Sequence, residues 1–235
     1  MYEGKQVIGI IPARGGSKGI PRKNIVDLGG FPLIAWTILR AKASKYIDRL
    51  ILSSDDHNII RVAKKYGCEV PFKRPDELAT DSASSVDVTL HALDELNFKD
   101  KDHYFILLQP TSPFRTVSTI DNAIRFTIGN DYPYVMSVSY LGKSPYHIYL
   151  EGESHLLEPL YKGKTTGTRR QDLPRALVSN GVIYVSRSSF FSKVKSFRPD
   201  KIHFYKTPIH ESIDIDTFDD LKKAQANISN KNIIP

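Results

Sequence analysis

The sequence predicts an α/β fold with three layers, in which helices cover both faces of a mostly parallel sheet. Short apolar runs typical of buried strands alternate with segments whose apolar residues recur at the helical period, and short connections join them. The length of 235 residues suits one large domain or a domain with an insertion. On such a sheet, ligands bind where the loops that follow the carboxyl ends of the strands converge.

The first half of the chain alternates strand and helix. Strands are predicted at residues 7–11, 49–53, 104–109 and 134–138, and helices at 33–43, 56–66, 84–96 and 117–128. Pro32 suits the start of the first helix, and Gly67 closes the second. The alternation predicts successive βαβ units.

The pattern breaks from Ser139 to Ser179, where tyrosines mix with glycines, prolines and charges. A structureless stretch of this length is unusual inside a compact domain. We therefore expect residues 140–179 to form an inserted arm that packs on something else. Strands at 181–185 and 202–205 and a helix at 217–227 resume the pattern, so residues 1–139 and 180–228 are predicted to form the main domain, with a frayed tail at 229–235.

The net charge of +7 and the pI of about 9.3 indicate an anionic partner, either a nucleic acid or a small molecule. Many cations lie in glycine- and proline-rich turns rather than along a helix, and the sequence has neither zinc-finger spacing nor an RNP-type motif. These features favour a small anion over nucleic acid.

A single cysteine, Cys68, excludes an internal disulfide, and the amino terminus has no secretory pattern or membrane-spanning stretch, so we expect a cytoplasmic protein.

The most informative segment, residues 10–24, carries a strand into a turn with three glycines and four cations. Glycines allow positive φ and let backbone amides approach a ligand closely, which predicts these roles for Gly15, Gly16 and Gly19. The cations Arg14, Lys18, Arg22 and Lys23 would balance the charge of a triphosphate. The segment matches neither the Walker nor the Rossmann glycine pattern, and a solvated connection is the alternative.

Two carboxylates, Asp214 and Asp216, are two residues apart and project from the same face of an extended segment. Such a pair can hold Mg²⁺ and leave coordination positions open for phosphate oxygens and water. The alternative is that Asp216 or Thr217 caps the helix that follows.

Three further turns carry polar groups. The double-proline turn after the strand at 104–109 would fix Gln109, Thr111, Ser112 and Arg115 rigidly. Arg74 opens a loop in which Ser84 or Ser85 either caps the next helix or contacts a nucleotide. The basic patch at 168–174 is either a solvated loop or a carboxylate site.

Taken together, these segments resemble the acylneuraminate cytidylyltransferase family, the CMP-sialic acid synthetases, which includes enzymes for N-acetylneuraminic, legionaminic and pseudaminic acids. The resemblance covers roughly residues 7–226 and rests on IPARGGSKGIPRKN at 11–24, RPDELA at 74–79, LQPTSPFR at 108–115, RQ at 170–171, SNGVIY at 179–184 and SIDIDT at 212–217. It implies a Rossmann-like nucleotidyltransferase fold and a homodimer in which the arm reaches the partner's sugar site. It also implies a place in the biosynthesis of surface glycans, either lipopolysaccharide, capsule or glycosylated flagellin.

The resemblance further implies a reaction of CTP with a nine-carbon 2-keto sugar acid that gives a CMP-sugar and pyrophosphate. The anomeric hydroxyl would attack the α-phosphorus directly, with Mg²⁺ as cofactor. The implied roles are as follows: Arg14, Lys18 and Lys23 hold the triphosphate; Ala13, Gly15, Ser17, Asn24, Arg74 and Ser84 contact the nucleotide; Gln109, Arg170, Gln171, Asn180 and Tyr184 bind the sugar acid; and Asp214 and Asp216 bind the metal, with Asp216 the more essential.

Several alternatives stay open. A related enzyme acting on 3-deoxy-manno-octulosonate, a sugar-1-phosphate nucleotidyltransferase and a non-catalytic nucleotide-binding protein share this fold. The sequence does not identify the sugar acid. Nor does it decide whether Lys143 or His147 of the arm reaches the sugar carboxylate.

Overall fold

The computed structural model describes residues 1–99, 101–142, 144–161, 169, 172–231 and 235. The strands are β1 (Val7–Pro12), β2 (Asp27–Leu28), β3 (Phe31–Pro32), β4 (Arg49–Ser53), β5 (Tyr104–Leu107), β6 (Tyr134–Tyr140), β7 (Tyr149–Glu151), β8 (Leu157–Pro159), β9 (Leu177–Arg187) and β10 (His203–Lys206). The helices are α1 (Leu33–Lys42), α2 (His57–Lys65), α3 (Ser85–Glu95), α4 (Val117–Gly129), α5 (Ser188–Val194) and α6 (Phe218–Lys231).

A central sheet of six strands runs in the order β10-β6-β9-β5-β1-β4. Every neighbouring pair is parallel except those of β9, which is antiparallel to both β5 and β6. The chain leaves β1 toward β4 on one side and later returns to β5 on the other. The carboxyl ends of β1 and β5 therefore flank a topological switch point, which is where sheets of this kind bind ligands.

Alternation along the strands builds a core on each face of the sheet. In β1, Val7 and Ile11 pack in the cluster that contains Ile34 of α1 and Ile120 of α4. Ile8 and Ile10 point to the opposite face, in the cluster that contains Leu93 of α3 and Phe191 of α5. Because successive side chains of a strand point to opposite faces, one apolar run supplies both cores, and the predicted three-layer α/β fold is confirmed.

Most predicted elements occur within a few residues of their expected bounds, but two features differ. Helix α5 was not predicted; it follows β9 directly and buries Phe191 completely. Strand β9 begins at Leu177, earlier than expected, because its first residues pair with the end of β6 while remaining exposed. An apolar run therefore indicated only the buried part of this strand.

A bulge interrupts the pairing of β9 with β6. Met136 lies opposite Tyr184 and Val138 lies opposite Ser179, so residues 180–183 of β9 face Ser137 alone. Gly181 lies within this bulge at a φ of +71°, a conformation that favours glycine. The bulge bends the strand beside the end of β5 and gives residues 180–183 partners outside the regular ladder.

The segment between β6 and β9 leaves and re-enters the sheet on adjacent strands and carries the hairpin β7–β8. The residues of both strands are exposed, and the apolar side chains of the hairpin, Tyr149, Leu150, Leu156 and Leu157, are each about half exposed or more. An isolated two-stranded hairpin is at most marginally stable in water.

None of the helices among the described residues combines the length and the hydropathy that a membrane span requires.

Candidate active site

A cavity of about 460 Å³ opens at the carboxyl ends of β1 and β5. It lies at the switch point and gathers segments that are far apart in sequence. Its lining includes many of the residues singled out in the sequence: Arg14, Ser17, Lys18, Lys23, Asn24, Arg74, Gln109, Thr111 and Asp216.

The cations of the loop after β1 pair with acidic groups at the rim of this cavity. The Nζ atom of Lys23 lies 2.7 Å from Oδ1 of Asp216. Arg14 and Lys18 share one carboxylate, that of Asp81, at 2.7 and 3.1 Å. The hydrogen bond from Lys18, followed by the charges of Lys18 and Arg14, holds the pKa of Asp81 below its usual range. The cavity therefore concentrates three cations along one wall.

The glycines of the loop serve close packing rather than unusual torsion angles. The expectation that Gly15, Gly16 and Gly19 adopt positive φ is wrong; the left-handed residue of this loop is Arg22, with a φ of 53°. A Cβ at Gly19 would lie 2.2 Å from the backbone oxygen of Asp216. The absence of a side chain at Gly19 thus lets the loop pack directly on the segment that carries Asp216.

Other predicted nucleotide contacts anchor the loop to its surroundings. The backbone N–H of Ala13 donates to the oxygen of Ser53 at 3.0 Å, and that of Gly15 donates to Asp55 Oδ1 at 3.1 Å. Buried Asn24 donates from Nδ2 to the carbonyl oxygen of Arg14 at 3.0 Å. These bonds fix the backbone on both sides of Arg14, while Ser17 remains on the cavity wall.

Arg74 forms part of the cavity wall with its guanidinium held from behind. It donates to Oγ and to the carbonyl oxygen of Ser53 at 3.0 and 2.6 Å. Burial lowers the pKa of Arg74 to about 10, the charge of Asp55 opposes this, and the charge of Arg14 lowers it further. Arg74 remains protonated at neutral pH and adds a fixed positive charge to the site.

The two serines that precede α3 have different positions. Ser84 is the N-cap: its Oγ accepts from the N–H of Asp87 at 3.0 Å and donates to the Asp87 carboxylate at 2.7 Å. Ser85 lines the cavity. The sequence left open which of these two serines caps α3 and which faces a ligand. In the structure Ser84 caps the helix and Ser85 faces the cavity.

The turn after β5 is fixed by a completely buried arginine, Arg115. Its guanidinium donates to the carbonyl oxygen of Gln109 at 2.7 Å, to that of Val182 at 2.9 Å and to Thr37 Oγ1 at 3.0 Å. Burial lowers the pKa of Arg115 to about 9, and the charges of Glu211 and Asp214 oppose this. Arg115 thus joins the end of β5 to the bulge of β9 and to α1, and holds Gln109 at the cavity.

The segment with Asp214 and Asp216 is held on two sides. Buried Glu211 accepts hydrogen bonds from the hydroxyls of Thr116 and Thr119, at the start of α4, both at 3.0 Å. The N–H of Ile215 donates to the carbonyl oxygen of Thr111 at 2.9 Å, and Ile215 is buried while its two acidic neighbours are exposed. Burial thus alternates along this segment; Asp216 lines the cavity, and Asp214 is not part of its wall.

The electrostatics of this pair suit a divalent cation. Loss of hydration raises the pKa of Asp214; the charge of Asp216 raises it further, and a hydrogen bond from Thr111 opposes both effects. Two carboxylates that repel each other are stabilised by a shared cation. The described residues contain no cluster of three or more acidic, histidine or cysteine side chains that could hold a metal. Two carboxylates alone would leave the remaining coordination positions of Mg²⁺ to phosphate and water.

Helix α6 does not need Asp216 as its cap. Thr217 and Asp220 cap it reciprocally: the N–H of Asp220 donates to Thr217 Oγ1 at 3.2 Å, and that of Thr217 donates to Asp220 Oδ2 at 3.0 Å. The side chain of Asp216 instead pairs with Lys23 at the cavity. Its carboxylate thus lies on the ligand side of the helix start.

The predicted sugar-acid residues are only partly brought together. Gln109 lines the cavity, but Asn180 and Tyr184 are not part of its wall. Asn180 accepts from Ser137 Oγ at 2.7 Å and donates to Thr207 Oγ1 at 2.6 Å and to Ser212 Oγ at 2.8 Å. These bonds tie the bulge of β9 to the segment that leads to Asp214.

Tyr184 is half-buried and packs on Phe197, with ring centroids 5.2 Å apart. Burial raises the pKa of Tyr184, the charge of Arg198 opposes this, and the charge of Asp214 adds to the rise. Arg170, Gln171 and Lys143 lie outside the described residues.

The architecture and the motifs agree with comparisons to known proteins. The family model described as cytidylyltransferase matches residues 8–218. The chain belongs to the cytidylyltransferase family. It is therefore a nucleotidyltransferase, and the resemblance inferred from the motifs is confirmed.

Several relatives align over most of the chain. A pseudaminic acid cytidylyltransferase of Campylobacter jejuni is 36% identical over 92% of this chain and 93% of its own length. A CMP-N,N'-diacetyllegionaminic acid synthase of Legionella pneumophila is 34% identical over 90% and 91%. An N-acylneuraminate cytidylyltransferase of Streptococcus agalactiae is 35% identical over 90% of this chain, but the chain spans only 50% of that relative's length.

Solved structures show the same fold at low sequence identity. A CMP-2-keto-3-deoxy-manno-octonic acid synthetase in complex with CTP superposes with a TM-score of 0.70 at 16% identity, covering 96% of this chain and 99% of the other. A 4-diphosphocytidyl-2C-methyl-D-erythritol synthase of Anaerococcus prevotii gives 0.67 at 15% identity, covering 97% and 100%. These likenesses establish the nucleotidyltransferase fold.

The contact between Gly19 and Asp216 predicts the effect of one methyl group. Gly19→Ala should lower kcat about 100-fold, because a Cβ there cannot coexist with the Asp216 carbonyl and must shift one side of the site by about 1 Å. Pyrophosphate release at several Mg²⁺ concentrations measures this loss. Gly142→Ala is the control, since its Cβ would meet nothing within 4 Å. Equal activity of the two variants would show that this packing does not hold the site.

The buried guanidinium of Arg115 predicts a stability effect. Arg115→Met should lower the free energy of unfolding by about 2–4 kcal/mol, because it leaves buried acceptors on Gln109 and Val182 without donors. Urea unfolding monitored by circular dichroism measures the change. Arg125→Met, on the exposed face of α4, should change it by less than about 0.5 kcal/mol. A loss for Arg115→Met no larger than that of the control would contradict the assigned role.

Proposed function

We propose that the protein activates a nine-carbon 2-keto sugar acid of the sialic acid type by transferring CMP to it from CTP. The observation that carries the proposal is the cavity at the switch point, where the cations of the β1 loop face Asp216 and Gln109. Relatives named for N-acylneuraminate, pseudaminic acid and N,N'-diacetyllegionaminic acid, at 34–36% identity, support the substrate class.

The described cations suit the triphosphate of CTP. Arg14, Lys18 and Lys23 are positioned to neutralise its phosphates, and Arg74 adds a charge that is fixed by Ser53. Fixed donors and charges stabilise the negative charge that develops during transfer without having to reorganise. The buried Asn24 amide holds the backbone at Arg14, so its role is to position this cation.

In the proposed reaction the anomeric oxygen of the sugar acid forms a bond to the α-phosphorus of CTP. The bond from that phosphorus to the oxygen that bridges to the β-phosphate breaks, pyrophosphate leaves, and the anomeric hydroxyl gives its proton to water. The protein contributes by orientation and by neutralising charge. Mg²⁺, when held by Asp214 and Asp216, supplies positive charge to the phosphates.

The sugar acid is assigned to the side of the cavity where Gln109 lies, near the bulge of β9. The Oε1 atom of Gln109 lies 3.1 Å from where a Cβ of Gly181 would stand, so the glycine leaves this amide uncovered by a neighbouring side chain. We assign the sugar carboxylate to Arg170 and Gln171, which suit it chemically. Tyr184, half-buried against Phe197 and outside the cavity wall, is assigned a supporting role at this end.

We also propose that the protein acts as a homodimer in the cytoplasm, where CTP is available. The support for the dimer is the arm, whose hairpin β7–β8 exposes Leu156 and Leu157 to 67% each. Apolar side chains gathered on a protruding hairpin are typical of a surface that a partner covers. The same face on a second copy would bury them symmetrically.

The substrate class is tested by measuring pyrophosphate release from CTP and Mg²⁺ with a panel of sugar acids. We expect release with one of N-acetylneuraminic, legionaminic and pseudaminic acid. Release with octulosonic acid alone would move the protein to the related subfamily. No release with any acid, from protein that binds CTP, would contradict the proposal.

The metal role predicts the phenotype of one carboxylate. Asp216→Asn should lower kcat by at least about 100-fold while the protein remains folded, because it removes charge from the metal ligand set beside the phosphates. Asp219→Asn, in the first turn of α6, removes the same charge outside the cavity and should leave kcat within about twofold. Near-normal turnover of Asp216→Asn at saturating Mg²⁺ would remove this residue from the mechanism.

The dimer proposal predicts a change of mass. Leu156→Lys combined with Leu157→Lys should convert a dimer into a monomer, because two charges on the covered apolar face oppose association. Light scattering after size exclusion measures the mass. Val194→Lys, on an exposed apolar position of α5, should remain dimeric. A wild-type monomer, or a dimer insensitive to the arm variant, would contradict the proposed surface.

A further inference from the structure

Asp81 forms ion pairs with two of the three cations that the proposed function assigns to the triphosphate. Its Oδ1 atom lies 2.7 Å from Nη2 of Arg14, and its Oδ2 atom lies 3.1 Å from Nζ of Lys18. The carbonyl oxygen of the preceding residue, Thr80, accepts from Nη1 of Arg14 at 2.6 Å. A carboxylate and a carbonyl thus present oxygens to Arg14 and Lys18 much as phosphate groups would.

The segment that carries Asp81 is attached at its ends and is exposed or half-buried between them. Arg74 fixes one end through Ser53, and the cap of α3 at Ser84 fixes the other. Residues 75–87, all within the described part of the chain, include no buried residue. The side chain of Asp81 is itself 50% exposed. Such a segment can move away from the cations at little cost in packing.

The surrounding charges explain why an internal anion is useful here. Arg14 and Arg74 both line the cavity, and the charge of Arg14 lowers the pKa of the Arg74 guanidinium, so the two cations repel each other. A carboxylate beside Arg14 relieves this repulsion when no phosphate does so. It also gives the cations another partner when pyrophosphate has to leave.

We propose that Asp81 competes with the phosphates of the nucleotide for Arg14 and Lys18, and so sets the affinity of the site for CTP and pyrophosphate. The inference rests on the proposed function, because it takes these two cations as the triphosphate site. Asp81 gives them up as the phosphates bind and takes them back as pyrophosphate dissociates. It acts through the cations rather than on the reacting atoms.

Calorimetry without divalent metal tests this competition, with inorganic pyrophosphate and CTP as separate ligands. Asp81→Asn should bind pyrophosphate about three- to tenfold more tightly than the wild type, since each exposed ion pair is worth little. Asp81→Ala should bind at least as tightly as Asp81→Asn, because it removes the hydrogen-bond acceptor as well. The gain should shrink as salt is raised.

Asp76→Asn is the matched control. Asp76 lies on the same exposed segment and pairs with Lys73 at 3.7 Å, outside the wall of the cavity. Its substitution removes one negative charge without freeing Arg14 or Lys18, so the pyrophosphate affinity should stay within about twofold. An equal gain for Asp76→Asn and Asp81→Asn would show an effect of overall charge and overturn the proposal.

Two further outcomes distinguish the competition by Asp81 from the proposed function. Unchanged or weaker pyrophosphate binding by Asp81→Asn, with a wild type that binds CTP, would mean that Asp81 orients the cations rather than competing for them. That result overturns the competition and leaves the proposed function intact. A wild type and variants that bind neither pyrophosphate nor CTP would overturn both.

Discussion

The site depends on the burial of one guanidinium, that of Arg115, between the end of β5, the bulge of β9 and α1. A charge in this position is costly unless it is hydrogen-bonded and has opposite charges nearby. The bulge supplies the Val182 carbonyl, the turn supplies that of Gln109, and Glu211 and Asp214 supply negative charge. The turn after β5 therefore has one position relative to the sheet.

A series of contacts runs from that turn to the phosphate loop. The N–H of Ile215 donates to the carbonyl of Thr111, which holds the segment between Asp214 and Asp216. The Asp216 carbonyl packs against Gly19, and the Asp216 carboxylate pairs with Lys23. Segments separated by about two hundred residues thus form one wall of the cavity. The sheet brings them together because β1 and β5 are neighbours at the switch point.

The charges of the site are balanced locally rather than across the molecule. Asp81 balances Arg14 and Lys18, Asp216 balances Lys23, and Asp55 opposes the desolvation of Arg74. This arrangement keeps a dense set of cations in one cavity without large repulsion. It also means that a triphosphate and a metal would exchange partners with existing ion pairs rather than meet isolated charges.

The sequence predicted what local patterns determine. Strands and helices of the first half follow from apolar periodicity, and the burial of Ile215 between the exposed Asp214 and Asp216 follows from its apolar side chain. Long-range contacts could not be predicted from the sequence. A glycine is needed at position 19 because the Asp216 carbonyl packs against it, and the partners of Asn180 come from β6 and from two loops. The short helix α5 was missed because seven residues with three serines give a weak periodic signal.

The position of Ser84 also could not be predicted from the sequence. Either serine of the pair could cap α3, and only the backbone geometry places Ser84 at the cap and Ser85 in the cavity. Asp81 carries no motif of its own in the sequence, and its importance follows from two distances. Its signal in the sequence was its position between the Arg74 turn and the cap of α3.

We infer that this cavity joins the anomeric oxygen of a sugar acid to the α-phosphorus of CTP. The most direct measurement uses a sugar acid labelled with ¹⁸O at its anomeric hydroxyl, with mass spectrometry of the CMP-sugar formed before the label exchanges with water. We expect the label to be retained in the bond between the sugar and the phosphorus. A CMP-sugar whose bridging oxygen is unlabelled, while the unreacted acid keeps its label, would contradict it.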